Sequence, residues 1–252
     1  MRVAVAGGTG LIGAMVVQGL TAAGHEPVVL ARSRGVDLTT GEGLEGKLSR
    51  CDEVVDVTNV VSVRKKPAVA FFAAATRNLI DAAAAAGVRH VVTLSIVGID
   101  DVDLGYYHGK RKQEELVRQG PVPWTILRAT QFHEFPEPLL EGARGPFVVV
   151  PSELSQPVSA QEVANALTAH VGKAPAGYAR ELAGPEQLQM GDMTRRLVKA
   201  RGSRKIVVPV KLPGSVGKAM TGGALLPKAE YTRSKRTFAE YLNRVRREAT
   251  RV

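Results

Sequence analysis

AVAGGTGLIG, residues 4–13, carries two overlapping glycine patterns. Gly8, Gly10 and Gly13 spell G-x-G-x-x-G, while Gly7, Gly10 and Gly13 spell G-x-x-G-x-x-G. In either register the stretch leaves the strand-like run MRVAVAG and enters LIGAMVVQGLTAAG, which reads as a helix ending near Gly24. A strand feeding a helix through a glycine turn is the arrangement a phosphate-binding turn requires. Glycines there adopt backbone angles closed to other residues, let main-chain N–H groups approach a pyrophosphate, and pack helix on strand.

Working outward, EPVVLARS gives a second strand and completes a βαβ unit. DEVVDVTN and VRHVVTLS are β-branched strands, separated by the alanine-rich helix AVAFFAAATRNLIDAAAAAG, which Gly87 stops. A helix over 106–119 precedes the strand VPWTILRATQF. The alternation predicts an α/β fold, a Rossmann-type doubly wound parallel sheet. After about residue 135 the pieces shorten and proline and glycine increase, although Ser159 and Glu162 have capping-box spacing ahead of a helix. We therefore expect one NAD(P)-binding domain over 1–252, with a Rossmann core over 1–135 and a small C-terminal substrate lobe over 136–252, closing over the carboxyl ends of the strands.

A chain of 252 residues with 44% hydrophobic content can bury such a core. A lone cysteine, Cys51, excludes a disulfide framework and a thiolate metal cluster and suits a reducing compartment, so a cytoplasmic location is expected. The first residues enter strand-like sequence without the pattern of a signal peptide, and the reading expects no membrane span. Half of the formal charge of +10 lies in residues 228–252, where eight cations, Arg251 among them, face three carboxylates. Without a nucleic-acid-binding motif, this reads as the solvated face of a terminal helix. No histidine or carboxylate spacing suggests a metal, and SIVG is not a nucleophile elbow.

The end of the second strand speaks to the cofactor. An NAD site offers a carboxylate there to the adenosine ribose; this chain has Arg32, Ser33 and Arg34. Two cations and a missing acid suit a 2′-phosphate, so NADP(H) is expected.

GGTGLIG, LARS, ATRNLIDAAAAAGVRHVVTLSIVG, YYHGK, WTILRATQFHEF, QPVSAQEVANAL and LAGPEQ together resemble the short-chain dehydrogenase/reductase superfamily, and within it the atypical NmrA-like, NAD(P)H-binding branch. The resemblance favours the register Gly7, Gly10 and Gly13. It implies that Thr9, Gly10, Leu11 and Ile12 line the pyrophosphate and that Asp37 and Leu38 lie by the adenine. It further implies Thr58 and Asn59 at the ribose, and Thr130, Gln131 and Phe132 by the nicotinamide.

In YYHGK, Tyr106 and Lys110 stand four apart and share a helical face. In the superfamily such a tyrosine moves the proton, and the lysine lowers its pKa and holds the nicotinamide ribose. A phenol titrates near 10 unperturbed, so a neighbouring cation makes it useful at neutral pH. Lys110 has an alternative partner in Glu114. By the resemblance Ser95 completes a Ser–Tyr–Lys set, with Ile96 where relatives often carry a second hydroxyl, a short interval to Tyr106, and Tyr107 as a rival donor. His133 and Glu134 are weaker substrate-facing candidates, with a surface histidine the alternative, and Trp124 and Phe132 read as core.

These residues predict an NADPH-dependent oxidoreductase transferring hydride to a small carbonyl, enone or quinone-like acceptor. Two other readings stay open: a non-catalytic NADP(H) sensor that reports to a regulatory protein partner, and an isomerase or epimerase using bound cofactor transiently. A small-molecule substrate is expected; nucleic acid and membrane are not, and a homo-oligomer is left open.

Overall fold

The computed structural model describes residues 1–60 and 62–249, so Arg251 lies outside the described residues. In chain order the elements are β1 (Arg2–Ala6), α1 (Leu11–Ala22), β2 (Glu26–Leu30), α2 (Leu44–Leu48), β3 (Glu53–Asp56), α3 (Lys65–Ala85), β4 (His90–Ile96), α4 (Gly105–Gln119), β5 (Trp124–Ala129) and α5 (Pro136–Glu141). They continue with β6 (Phe147–Pro151), β7 (Leu154–Ser155), α6 (Ala160–Thr168), β8 (Gly177–Tyr178), β9 (Leu182–Ala183), β10 (Leu188–Gln189), α7 (Met190–Ala200), β11 (Ile206–Val210), α8 (Gly214–Thr221), β12 (Thr232–Arg233) and α9 (Phe238–Ala249).

The chain divides into two compact units. The first comprises residues 1–100, 104–128 and 163–180. Its parallel sheet has the order β2-β1-β3-β4-β5, with β8 added beside β5. The strands are β-branched because both faces of a parallel sheet are covered; all four residues of β3 are buried. Ala4, Leu30, Leu44, Val54, Leu79, Val91 and Ile126 share one core. Residues 163–180 return to this unit through specific bonds: Gly172 N–H donates to the Glu53 carboxylate at 3.1 and 3.2 Å, and Ala176 N–H to Thr125 Oγ1 at 2.9 Å.

Two helices of this unit position the site. Gly105 and Gly109 lie on one face of α4, and a Cβ on either would strike the α3 segment, 2.3 Å from Val63 O and 2.6 Å from Phe72 Cδ2. The missing side chains let the helices meet backbone to backbone. By length and composition alone α3 could cross a membrane. In the fold it buries Ala68, Phe72, Ala75, Leu79 and Ile80, as a core helix of an α/β unit does.

The second unit comprises residues 101–103, 129–162 and 181–252. Within it β6 pairs with β11, β7 with β10 and β9 with β12. Leu140, Val148, Val150, Met190, Met193, Leu197, Phe238 and Tyr241 form its core. The amphipathic α9 buries Phe238, Tyr241, Leu242 and Val245, so its arginines lie on the opposite face. The capping-box spacing at Ser159 is not used as one. Glu162 instead accepts the backbone N–H groups of Lys235 and Arg236, at 2.9 and 3.2 Å.

Candidate functional site

The site candidates of the first unit gather at the carboxyl ends of its strands, beginning with the glycine turn. Gly7 takes φ +78°, and a Cβ there would sit 2.9 Å from Val57 O. Gly13 is fixed by packing, because its Cβ would lie 2.1 Å from Gly7 O. Gly8 abuts Val29 of β2 at 3.1 Å. Gly10 differs from all three: it is exposed, and a Cβ would meet only Gly7 O at 3.4 Å. Nothing in the fold asks for glycine at that position. It caps α1 without a side-chain hydrogen bond and the first turn holds no acid, so the helix presents uncapped N–H groups and a positive dipole end beside exposed Thr9 and Leu11. A helix start this open can receive an anion against its backbone; Ile12 is buried beneath the turn.

Beyond β2, residues 32–34 form a single 3₁₀ turn closed by Gly35 at φ +77°. Arg32, Ser33 and Arg34 are exposed on it. No carboxylate among the described residues lies at ion-pair distance from either arginine. Asp37 accepts Thr39 N–H and Oγ1–H at 2.8 and 2.6 Å, which hold its carboxyl below the usual range. Leu38 packs on the core, and Asn78 of α3 donates to its carbonyl at 2.9 Å.

At the end of β3, Thr58 donates its N–H and hydroxyl to buried Asp56 at 3.0 and 2.7 Å. Asn59 follows, exposed, and its Oδ1 accepts the Tyr106 hydroxyl at 2.6 Å. Tyr106 packs edge-on against Phe72, and burial pushes its phenol well above the ordinary value of 10. The lowering by Lys110 that the resemblance implies is not present here, because the ammonium is engaged elsewhere. Lys110 donates to Leu94 O at 2.7 Å and to Gln113 Oε1, and lies 5.1 Å from the centroid of the Phe72 ring. Gln113 Nε2 in turn donates to Asp56 Oδ2 at 2.7 Å. Burial pushes Lys110 down to about 8, opposed by the charges of Asp56 and Glu114. Sequence reading missed Gln113 and Asp56; a glutamine three residues after a buried lysine was the available signal.

Ser95 is buried on β4 beside Glu114, which it helps keep ionised. Glu114 is bound by Arg128 through two contacts of 2.9 and 2.6 Å and accepts the Tyr178 hydroxyl at 2.8 Å. Arg128 also pairs with Asp100 at 2.9 Å. Glu114 thus belongs to Arg128, and the alternative partner weighed for Lys110 is excluded as a direct bond. Ser95, Tyr106 and Lys110 share one end of the unit but are not hydrogen-bonded to one another. Tyr107, the rival donor, is buried against Tyr106.

The remaining candidates lie in the second unit. Thr130 donates to Gln156 O at 2.6 Å, Gln131 Oε1 accepts Ser155 Oγ–H at 3.1 Å, and Phe132 pairs with Val158. His133 is not a surface residue: it is buried between Phe238 and Tyr241, and burial pushes it down to about 4. Glu134 is paired with Arg244 at 3.3 Å. Trp124 packs against the first unit's core and edge-on to Tyr178.

A parallel sheet whose first strand turns through Gly7–Gly13 into a helix, with an open glycine at the helix start, defines a Rossmann-type nucleotide-binding protein. The chain belongs to the NAD(P)H-binding family, whose model matches residues 7–173. It is similar to a (4-alkanoyl-5-oxo-2,5-dihydrofuran-3-yl)methyl phosphate reductase of Streptomyces griseus, 29% identical over 216 residues, covering 79% of this chain and 73% of the relative. In fold it is similar to the triphenylmethane reductase of a Citrobacter species in complex with NADP(H) (TM-score 0.71, 18% identity, 99% and 100% of the two chains). It is likewise similar to the NADPH-dependent quinone oxidoreductase QOR2 of Escherichia coli (TM-score 0.67, 18% identity, 96% and 99%). This is the company of a NAD(P)-dependent reductase or dehydrogenase of the short-chain type.

Proposed function

We propose that the chain is a cytoplasmic, NADPH-dependent reductase of the NmrA-like branch, acting on a small carbonyl, enone or quinone-like acceptor. The observation that carries this reading is Gly10, a glycine that the fold does not need, open at the start of α1. The residues fit the cofactor. Thr9, Gly10, Leu11 and Ile12 would hold the pyrophosphate, Arg32 and Arg34 the 2′-phosphate, Asp37 and Leu38 the adenine, and Thr58, Asn59 and Lys110 the ribose. Thr130, Gln131 and Phe132 remain assigned to the nicotinamide by resemblance. The bound nicotinamide supplies the hydride.

The chain's own part is the proton. Tyr106 keeps its hydroxyl protonated at neutral pH, donated to Asn59, and is the group we assign to deliver it to the reduced acceptor. Ser95 is assigned to the acceptor oxygen. Lys110 is assigned to the ribose, held ready by Gln113 and Leu94 O. The Streptomyces relative, by its name a reductase of a dihydrofuranone, supports a conjugated acceptor within the enone class. Steady-state NADPH oxidation with a panel of enones, quinones and aldehydes tests the reading; turnover of at least one class is expected.

The sensor reading is favoured by one observation: the Lys110 ammonium is hydrogen-bonded to Leu94 O and Gln113 Oε1 rather than to Tyr106. On that reading NADPH binds, no acceptor turns over, and a protein partner distinguishes the two redox forms by differential affinity.

A further inference from the structure

The two-stranded sheet of β6 and β11 has one packed face and one open face. Its parallel register sets Ile206 against Phe147, Val208 against Val149 and Val210 against Pro151. Side-chain alternation places these six residues on one side. The other side carries Val148 and Val150, which belong to the unit's core, with Val207 packed beside them. On the open side Phe147 is 53%, Val149 61% and Ile206 56% exposed, and Val208 and Val210 are exposed as well. A solvated sheet face ordinarily turns polar at alternate positions; here each outward position is apolar, and a contiguous patch of this kind marks an interaction surface.

The segments flanking the two strands in sequence are cationic. Residues 201–229 contain no Asp or Glu but carry Arg201, Arg204, Lys205, Lys211, Lys218 and Lys228; residues 142–152 add Arg144 and no acid. Arg201 is paired with Glu137, Lys228 with Asp101, and Lys205 donates to Ala143 O. Arg144, Arg204, Lys211 and Lys218 are exposed, with no carboxylate at ion-pair distance among the described residues.

A proline interrupts each sheet edge. Ile206 N–H donates to Pro146 O and Ser152 N–H to Val210 O. By alternation the amide positions of Pro209 and Pro151 face the two open edges, where neither residue has a donor for another strand.

We propose that this apolar face, with the cationic segments that flank it in sequence, docks the protein onto an anionic lipid surface. The apolar side chains enter the interfacial layer while the four cations meet headgroup anions, the two signals that peripheral attachment needs. A second copy would bring two acid-free cationic strips together. Nucleic acid would leave the apolar face without a partner.

The test is co-sedimentation of the full chain with vesicles of phosphatidylcholine alone and with about a third phosphatidylglycerol. Binding at least about tenfold stronger to the anionic vesicles is expected, lost by about tenfold in Val149→Asp/Val208→Asp and in Arg204→Gln/Lys211→Gln. Cooperative melting checks the fold of each variant; where the aspartates prevent it, Val149→Thr/Val208→Thr is used, with a twofold or greater loss expected. No binding to anionic vesicles overturns the proposal, as does binding unchanged in the folded variants. So does a concentration-dependent dimer that the apolar substitutions dissociate, or a duplex DNA complex tighter than the vesicle complex.

Discussion

The Tyr106 hydroxyl donates a 2.6 Å hydrogen bond to Asn59 Oδ1, which fastens the proposed proton donor of α4 to the end of β3. Tyr106→Phe is expected to lower hydride transfer by roughly 10² to 10⁴ with little change in NADPH affinity, the usual share of general acid catalysis. Reduction consumes the protonated phenol, and burial raises the phenol's pKa, so kcat shows no loss of that acid below pH 10. Stopped-flow rates of both proteins across pH 6–10 check this. Unchanged transfer in Tyr106→Phe moves the role to Tyr107 or water.

Lys110 titrates in the opposite direction. Its ordinary value of 10.5 is pushed down to about 8 by burial, so the free protein loses this charge as pH rises through 8. If Lys110 holds the cofactor, NADPH binding at pH 8.5 takes up a proton. Calorimetry in buffers of different ionisation enthalpy detects it, and Lys110→Met abolishes it. For stability, a depressed lysine contributes most above its unfolded value and loses that contribution as pH falls through 8. The unfolding free energy of wild type relative to Lys110→Met therefore increases by ~3 kcal/mol from pH 8 to 10.5.

Two glycines of one turn separate binding from folding. Gly10→Val is expected to keep a cooperative melt and lose the stabilisation by NADPH, because only Gly7 O stands near its Cβ. Gly13→Ala drives a methyl group to 2.1 Å from Gly7 O and is expected to lower stability by ~2 kcal/mol or more. Thermal melts with and without NADPH tell the two apart. Retained ligand stabilisation in Gly10→Val removes the turn from the site.

Arg32 and Arg34 stand exposed beyond β2, with no carboxylate at ion-pair distance among the described residues. NADPH is expected to bind about tenfold or more tightly than NADH, and Arg32→Asp to cancel the preference, as one charge-assisted phosphate contact contributes ~1.5–3 kcal/mol. Equal affinities in the wild type, measured by calorimetry, contradict the NADP assignment.

The first unit was legible because its signals are local. β-Branched runs such as VRHVVTLS and glycine stops such as Gly87 act within a few residues, and they locate β4 and the end of α3 correctly. The site was legible where a motif is contiguous, as in GGTGLIG. It was not where contacts are distant in sequence: the bond of Gln113 to Asp56, 57 residues away, follows only from the register of α4 over the sheet. That register depends on Gly105 and Gly109, which in sequence look like poor helix formers. His133 illustrates the same limit, since its burial depends on α9, more than a hundred residues later. Glu162 shows a local rule overridden, with the capping carboxylate taken by amides before α9.

The central claim is that this chain moves hydride, and deuteride tracing tests it most directly. Wild type is incubated with NADPH carrying deuterium at nicotinamide C4 and with enone, quinone and aldehyde acceptors, and products are read by mass spectrometry. The expected result is one deuterium in the reduced product of at least one class, formed at a rate that Gly10→Val and Tyr106→Phe both suppress. NADPH bound tightly at the Gly10 turn, with no acceptor deuterated above the protein-free background, would contradict the reductase and leave the sensor.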